Sequence, residues 1–371
     1  MLIKSDCKHL DGEVPCKPHK LYSVHCDNCS FYKKRGERIL LIKLDGIGDV
    51  IRTTPIIRKL KEVYPDSEIT WLTLSPDFVP KIVDVPLFFN ETSIRRLQAD
   101  EFDLLINLDK RIDVCALTNL VKAKVKKGFM LKDGKCAPID DDAYAKYLNG
   151  LFDDISQANS KSYVEEMFEI AGLPYNHEKY LIDRPENPYV FPQMKGPVIG
   201  LNTGSGVRWL ETRTWADEMW IEVAIKLQEK GYSVVMLGGE LEHEKNVRIA
   251  AKSGAYYFGH FSMKDFVALV DRCDLVVTSV TSAMHIVIGL EKKIVLFVNI
   301  FPKAEFDLYD LGIILEPPKK CVCFYKSKCS VYPGSSCMQD ITTERVLTAV
   351  DALLAQKINN ADDTSTSSVH Q

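Results

Sequence analysis

Asp49 is the residue whose surroundings best suit it to move a proton. It closes the turn Gly46-Ile47-Gly48 in the run RILLIKLDGIGDVIRTTP, residues 38–55, which reads as a short strand, a glycine turn and the start of a helix. Free N–H groups and a positive dipole end at such a turn usually receive a phosphate. Here the mouth of the helix carries its own anion. Two readings stand side by side. Aspartate often caps a helix. Equally, a helix N-terminus keeps a carboxylate ionised at neutral pH, and an ionised carboxylate accepts a proton from an incoming hydroxyl. The turn is no dinucleotide fingerprint, because Ile51 stands where the third glycine would fall, and no Walker lysine follows. A nicotinamide or flavin cofactor is therefore not expected.

A phosphate site is expected later in the chain. Asn202-Thr203-Gly204-Ser205-Gly206 follows a strand-like run, and its small residues let backbone N–H groups and hydroxyls approach a diphosphate. Arg213, just before Trp215, either adds positive charge there or is an ordinary surface arginine. Leu237-Gly238-Gly239-Glu240-Leu241-Glu242 and Thr281-Ser282-Ala283-Met284-His285 are two further strand-to-helix turns. His285 falls one turn into a helix opened by Thr281 and Ser282, and reads as either a functional or a satisfied structural histidine.

The third chemical set is sulfur. Of eleven cysteines, Cys7, Cys16, Cys26 and Cys29 precede the first strand, and Cys321, Cys323, Cys329 and Cys337 lie near the end. Four thiolates in a reducing compartment suit a structural tetrahedral zinc, with iron as a lesser alternative and spectator thiols as the plain one. His9, His19 and His25 are near enough to replace a cysteine. A head with so few apolar residues would need such a staple to order itself. The later four are a second possible cluster, although adjacent Cys-x-Cys geometry suits one ion less well. Cys115, Cys136 and Cys273 read as small core residues.

Apolar runs alternating with helical patterns must position these groups. EITWLTL, FDLLINL and a shorter AKVKKGF read as strands before a proline-rich passage at 184–192; PVIGLN, SVVMLGG, DLVVTS and KIVLFV read as strands after it, with helices between. Near-continuous apolar strands separated by helices argue for α/β domains with parallel sheets covered on both faces. Two Rossmann-like domains facing one another are expected, with ligand at the carboxyl ends of the strands in the crevice between them.

Composition sets limits. The 371 residues carry 47 Lys and Arg against 51 Asp and Glu, a formal charge of −4, which does not suggest a nucleic-acid partner. There is no signal-like leader and no apolar run long enough to span a bilayer, so a cytoplasmic protein is expected. The basic runs at 33–35 and 122–127 are solvated surface or a peripheral contact at the inner face of the membrane. The polar tail from about Asn359 is expected to be disordered.

The run RILLIKLDGIGDVIRTTPIIRKLKEVYP resembles the opening of the heptosyltransferase-like glycosyltransferases of family nine, which have the GT-B architecture. NTGSGVRWLETRTWADEMW, MLGGELEHE, SVTSAMHIVIGLEKKIVLF and the closing cysteine cluster before MQDITTERVL resemble later segments of the same family. The resemblance runs from about Arg38 to Val350 and implies an acceptor domain over 37–184 and a nucleotide-sugar donor domain over 185–358; the cysteine-rich metal-binding head expected over 1–36 and the tail over 359–371 lie outside it. The resemblance makes Asp49 the general base. Thr203, Gly204, Ser205, Arg213, Glu242, Thr281, Ser282 and His285 become donor-binding residues.

The reaction implied is inverting, uses no metal or other cofactor in catalysis, and takes a nucleotide sugar, an ADP-sugar first. The acceptor implied is a lipopolysaccharide core or a related glycolipid or glycoconjugate. A protein acceptor and an inactive nucleotide-sugar-binding protein are the alternatives. The chain departs from the family at Val280, where the motif has aspartate, at Ser282, where it has glycine, and at FVNIF, which lacks a glycine. The sugar is therefore less determined than the reaction type, and the oligomeric state is open.

Overall fold

Strand β1 (Arg38–Ile42) is buried along most of its length and forms the centre of a six-stranded sheet. Its neighbours are β2 (Glu68–Thr73), β3 (Val85–Phe88), β4 (Glu101–Asn107), β5 (Lys122–Lys132) and β6 (Lys135–Pro138), in the order β3-β2-β1-β4-β5-β6. All pairings are parallel except β5 with β6. The AKVKKGF run belongs to an eleven-residue strand, longer than its sequence suggested, because beyond Gly128 the chain stays extended to form the hairpin with β6. Strands β3 and β6 were not legible as separate apolar runs.

A second sheet is parallel throughout, in the order β11-β10-β9-β7-β8, where β7 is Val198–Asn202, β8 Ser233–Leu237, β9 Leu275–Ser279, β10 Lys293–Phe297 and β11 Gly312–Leu315. Every residue of β8 and β9 is buried, as expected for strands covered on both faces. These observations come from a computed structural model that describes residues 2–44, 46–192, 194–332 and 334–356. The tail expected over 359–371 lies outside the described residues.

The chain divides into two compact units. The first comprises Met1–Asn187, Thr281–Glu291 and Phe301–Tyr309; the second comprises Pro188–Val280, Lys292–Ile300 and Asp310–Gln371. The division thus falls within the proline-rich passage, but two later segments read from sequence as part of the donor domain pack with the first unit instead. The helix Ser282–Gly289 is nearly all buried, and its His285 presses on Gly48. In the first unit Leu40, Ile42, Leu72, Leu105 and Val114 build one apolar cluster. In the second, Trp215, Trp220 and Phe297 stack edge-on at the centre of another.

Both sheets change direction of strand order at a defined place. In the first, β1 is flanked by β2 and β4; in the second, β7 is flanked by β8 and β9. Loops leaving the carboxyl ends of strands at such a switch point are where α/β sheets bind ligands. The residues so placed are 43, 44, 46 and 108–111 beside the first sheet, and 203–206 and 280–281 after strands of the second.

Candidate functional site

At the switch point of the first sheet, register alone brings two charges together. Ile42 pairs with Asn107, so Lys43 and Asp109 leave neighbouring strands side by side. The Lys43 ammonium donates to Asp109 Oδ1 at 2.9 Å, and the Leu44 N–H donates to Asp109 Oδ2. Both side chains are almost completely buried. The glycines then shape the turn. Gly46 takes φ 56°, ψ 135° just before the helix Ile47–Thr53, a conformation that side-chain-bearing residues rarely adopt. At Gly48 a Cβ would lie 2.5 Å from His285 Cδ2, so the missing side chain is what admits the histidine ring.

Asp49 is the third residue of this helix, and Gly46 is its N-cap. Its carboxylate is spoken for by cations: Arg52 Nη2 lies 2.6 Å from Oδ1, and Lys43 Nζ lies 3.7 Å from Oδ2. Burial alone would favour the neutral acid, but Arg52 first, then Lys43, hold Asp49 down at about 2. The group is fully ionised at neutral pH. The capping explanation is thus replaced by an ion-pair one. Oδ1 is tied to Arg52, while Oδ2 has its cation beyond hydrogen-bonding distance and a side chain still 29% exposed.

His285 is buried, and burial followed by the Arg52 charge pushes it down to about 3, so the ring is neutral. Its Nδ1 has no hydrogen-bond partner among the described residues. Expected with the donor loop, it is found in the first unit near Asp49, with the Tyr180 ring tilted against it at 5.9 Å between centroids. Thr281 and Ser282 open its helix as the sequence suggested.

The remaining expected donor residues gather in the second unit. Thr203 Oγ1 donates to Asn246 at 2.6 Å, and the Ser205 hydroxyl meets Thr214 at 3.1 Å, so both hydroxyls brace the loop. Gly204 sits against Glu242, whose Oε2 accepts the Gly239 N–H at 2.9 Å. Arg213 is buried rather than a surface residue, and donates to the Val280 carbonyl. Burial lowers it to about 10, which leaves it charged at neutral pH.

Its segment is pinned from three directions. Asn299 donates to Thr212 O at 2.6 Å, Thr212 donates to Lys326 O at 3.3 Å, and Gln339 donates to Thr214 O at 2.9 Å. Asn299 is the asparagine of FVNIF. Lys245, 3.5 Å from Thr203 O, adds a second cation at this loop that sequence reading missed.

The cysteines do not form the expected zinc sites. Cys7, Cys16, Cys26 and Cys29 line a cavity of about 30 Å3 with His9 and His25. Among the later four, Cys323 Sγ lies 3.7 Å from Cys329 Sγ, and Cys321 Sγ accepts the Cys323 N–H at 3.3 Å. Among the described residues no group of three or more His, Cys, Asp or Glu side chains is arranged to hold a metal ion. Structural zinc therefore has no support from the geometry. Also among the described residues, no helix is long and apolar enough to cross a membrane.

With the geometry in place, residues 92–303, more than half of the chain, match the family model of glycosyltransferase family 9 (heptosyltransferase). The chain belongs to glycosyltransferase family 9. It is accordingly a glycosyltransferase, and the matched span carries the 203–206 loop, Arg213, Glu242 and His285, while Asp49 precedes it. The lipopolysaccharide core heptosyltransferase OpsX of Haemophilus influenzae is 21% identical over 67% of this chain and 75% of that protein.

Two solved structures share the fold. A family 9 glycosyltransferase from Veillonella parvula superposes with TM-score 0.63 at 20% identity, covering 86% of this chain and 97% of its own. The E. coli ADP-heptose lipopolysaccharide heptosyltransferase II superposes with TM-score 0.62 at 18% identity, covering 85% and 98%. The GT-B-like α/β class read from sequence agrees with both.

Proposed function

We propose that this family 9 enzyme transfers a heptose or closely related sugar from a nucleotide diphosphate donor to a lipopolysaccharide-core acceptor, with inversion and without a metal ion in the chemistry. The observation that carries this reading is the Asp49 carboxylate, deprotonated by two fixed cations and with one oxygen left to accept a proton. In the step proposed, an acceptor hydroxyl oxygen attacks the anomeric carbon and its proton passes to Asp49 Oδ2. The bond from that carbon to the diphosphate oxygen breaks, with the electron pair leaving on the diphosphate. Charged Arg213, Lys245 and the N–H groups of the 203–206 loop would stabilise that leaving charge, the kind of contribution that often dominates catalysis.

The names of the relatives support sugar and acceptor: one is called a lipopolysaccharide core heptosyltransferase, the other an ADP-heptose enzyme. Val280, in place of the motif aspartate, leaves a backbone carbonyl rather than a carboxylate beside Arg213. This change bears on donor choice.

The test is a product assay with purified enzyme, heptose-deficient core lipopolysaccharide and ADP-heptose, run beside ADP-glucose, GDP-, UDP- and CMP-sugars. Heptose incorporation from the ADP-sugar with inverted configuration, undiminished by a chelator, is expected. Transfer from another nucleotide sugar alone, retention of configuration, or no transfer to the core would each contradict part of the proposal.

A further inference from the structure

Arg52 is engaged on three sides. Besides Asp49 Oδ1 at 2.6 Å, its guanidinium donates to Glu305 Oε1 at 2.8 Å and lies 3.3 Å above the ring of Tyr163. The arginine, Glu305 and Tyr163 are all largely buried, and all belong to the first unit. Three contacts of this kind remove the rotameric freedom that an exposed arginine keeps. An exposed i, i+3 ion pair would contribute little; a planar guanidinium fixed by a second carboxylate and an aromatic face is a rigid part. Its charge is already committed to two carboxylates.

From this arrangement we infer that Arg52, clamped by Glu305 and Tyr163, is a positioning residue that sets the orientation of the Asp49 carboxylate and keeps it in its basic form. The inference rests on Asp49 being the base. Arg52 holds Oδ1 and leaves Oδ2, 3.7 Å from Lys43 Nζ, without a hydrogen bond among the described residues. Glu305 holds Arg52 from the far side, so that the arginine does not fold fully over the carboxylate and cover both oxygens. The charged and titratable groups facing Asp49 are Lys43 from the end of β1, Arg52 from its own helix and His285 from the helix Ser282–Gly289. Glu305 and Tyr163 act on it through Arg52, and Asp109 through Lys43.

The experiment compares steady-state transfer by the parent, Asp49→Asn, Arg52→Met, Arg52→Lys and Glu305→Gln from about pH 2.5 to 9, in brief assays at the acid end, with nucleotide affinity measured separately. Arg52→Met is expected to lower kcat roughly tenfold to a hundredfold, as a displaced catalytic group does, with nucleotide affinity unchanged. Its acidic limb in kcat/KM should rise by roughly one to three pH units, the shift that an adjacent opposite charge provides. Arg52→Lys should recover part of kcat and return the limb toward its original place. Glu305→Gln should lower kcat without raising the limb, since the positive charge stays; this variant carries the test if Arg52→Met does not fold. Inactive Asp49→Asn together with Arg52→Met that keeps kcat within twofold and an unmoved limb would overturn this inference and leave the base intact. Active Asp49→Asn would overturn both.

Discussion

Replacing Gly48 by alanine tests the packing that puts His285 beside Asp49. The new methyl carbon would stand 2.5 Å from His285 Cδ2, whereas ordinary contact begins near 3.4 Å, so the ring must retreat by about 0.9 Å. The ring is only 6% exposed, and overpacking of such a site costs about 1–3 kcal/mol. The helix itself would gain about 1 kcal/mol from the change of glycine to alanine. Steric cost should win in the parent protein, giving a net loss of up to about 2 kcal/mol. With His285→Ala already present, the methyl enters vacated space, and the same substitution should become stabilising by up to about 1 kcal/mol. Urea denaturation of the four proteins in this cycle reads the coupling, expected at about 1–3 kcal/mol. An effect of the same sign and size in both backgrounds would refute the packing argument.

The neighbouring charges and turn make further claims. Lys43→Met should destabilise the first unit by about 3–5 kcal/mol in chemical denaturation, because it leaves Asp109 buried without its cation; adding Asp109→Leu should recover most of that loss. Gly46→Ala should cost about 1–3 kcal/mol by the same measurement, the usual strain for a side chain at that backbone conformation. Asp49 lies at about 2 in the folded chain against an ordinary 3.8. Its contribution to stability is therefore complete above the ordinary value and disappears as pH falls through the folded one. Between pH 7 and acid, Asp49→Asn should lose less stability than the parent, as read by melting curves across pH.

Much of this site was legible because it obeys local rules. The glycine turn before Asp49 and the small-residue loop after β7 each follow a buried apolar strand, and strand ends at a switch point are where ligands bind. Asp49 could be singled out as the proposed base from residue type and turn chemistry. What held it ionised could not. Lys43 meets Asp109 through the pairing of β1 with β4, sixty-six positions apart; the one available signal was that an acid follows the FDLLINL strand. Glu305 reaches Arg52 from a segment with no periodicity or motif to mark it.

His285 was recognised as a motif histidine, but the groups packed around it, Gly48 and Tyr180, belong to the first unit. Its helix lies between two strands of the second sheet in sequence, yet its apolar residues pack with the first unit. The zinc expectation has no support among the described residues: cysteine spacing reports which thiols are near along the chain, not whether their side chains are arranged as ligands.

The most direct test of the account is single-turnover transfer by Asp49→Asn, measured together with its affinity for the nucleotide. The account predicts that the chemical step falls by roughly two to four orders of magnitude, the usual contribution of a positioned base, while nucleotide affinity changes little; the melting temperature at neutral pH should fall, because the ion pair with Arg52 is lost. Transfer at the parent rate by a folded Asp49→Asn enzyme would contradict it.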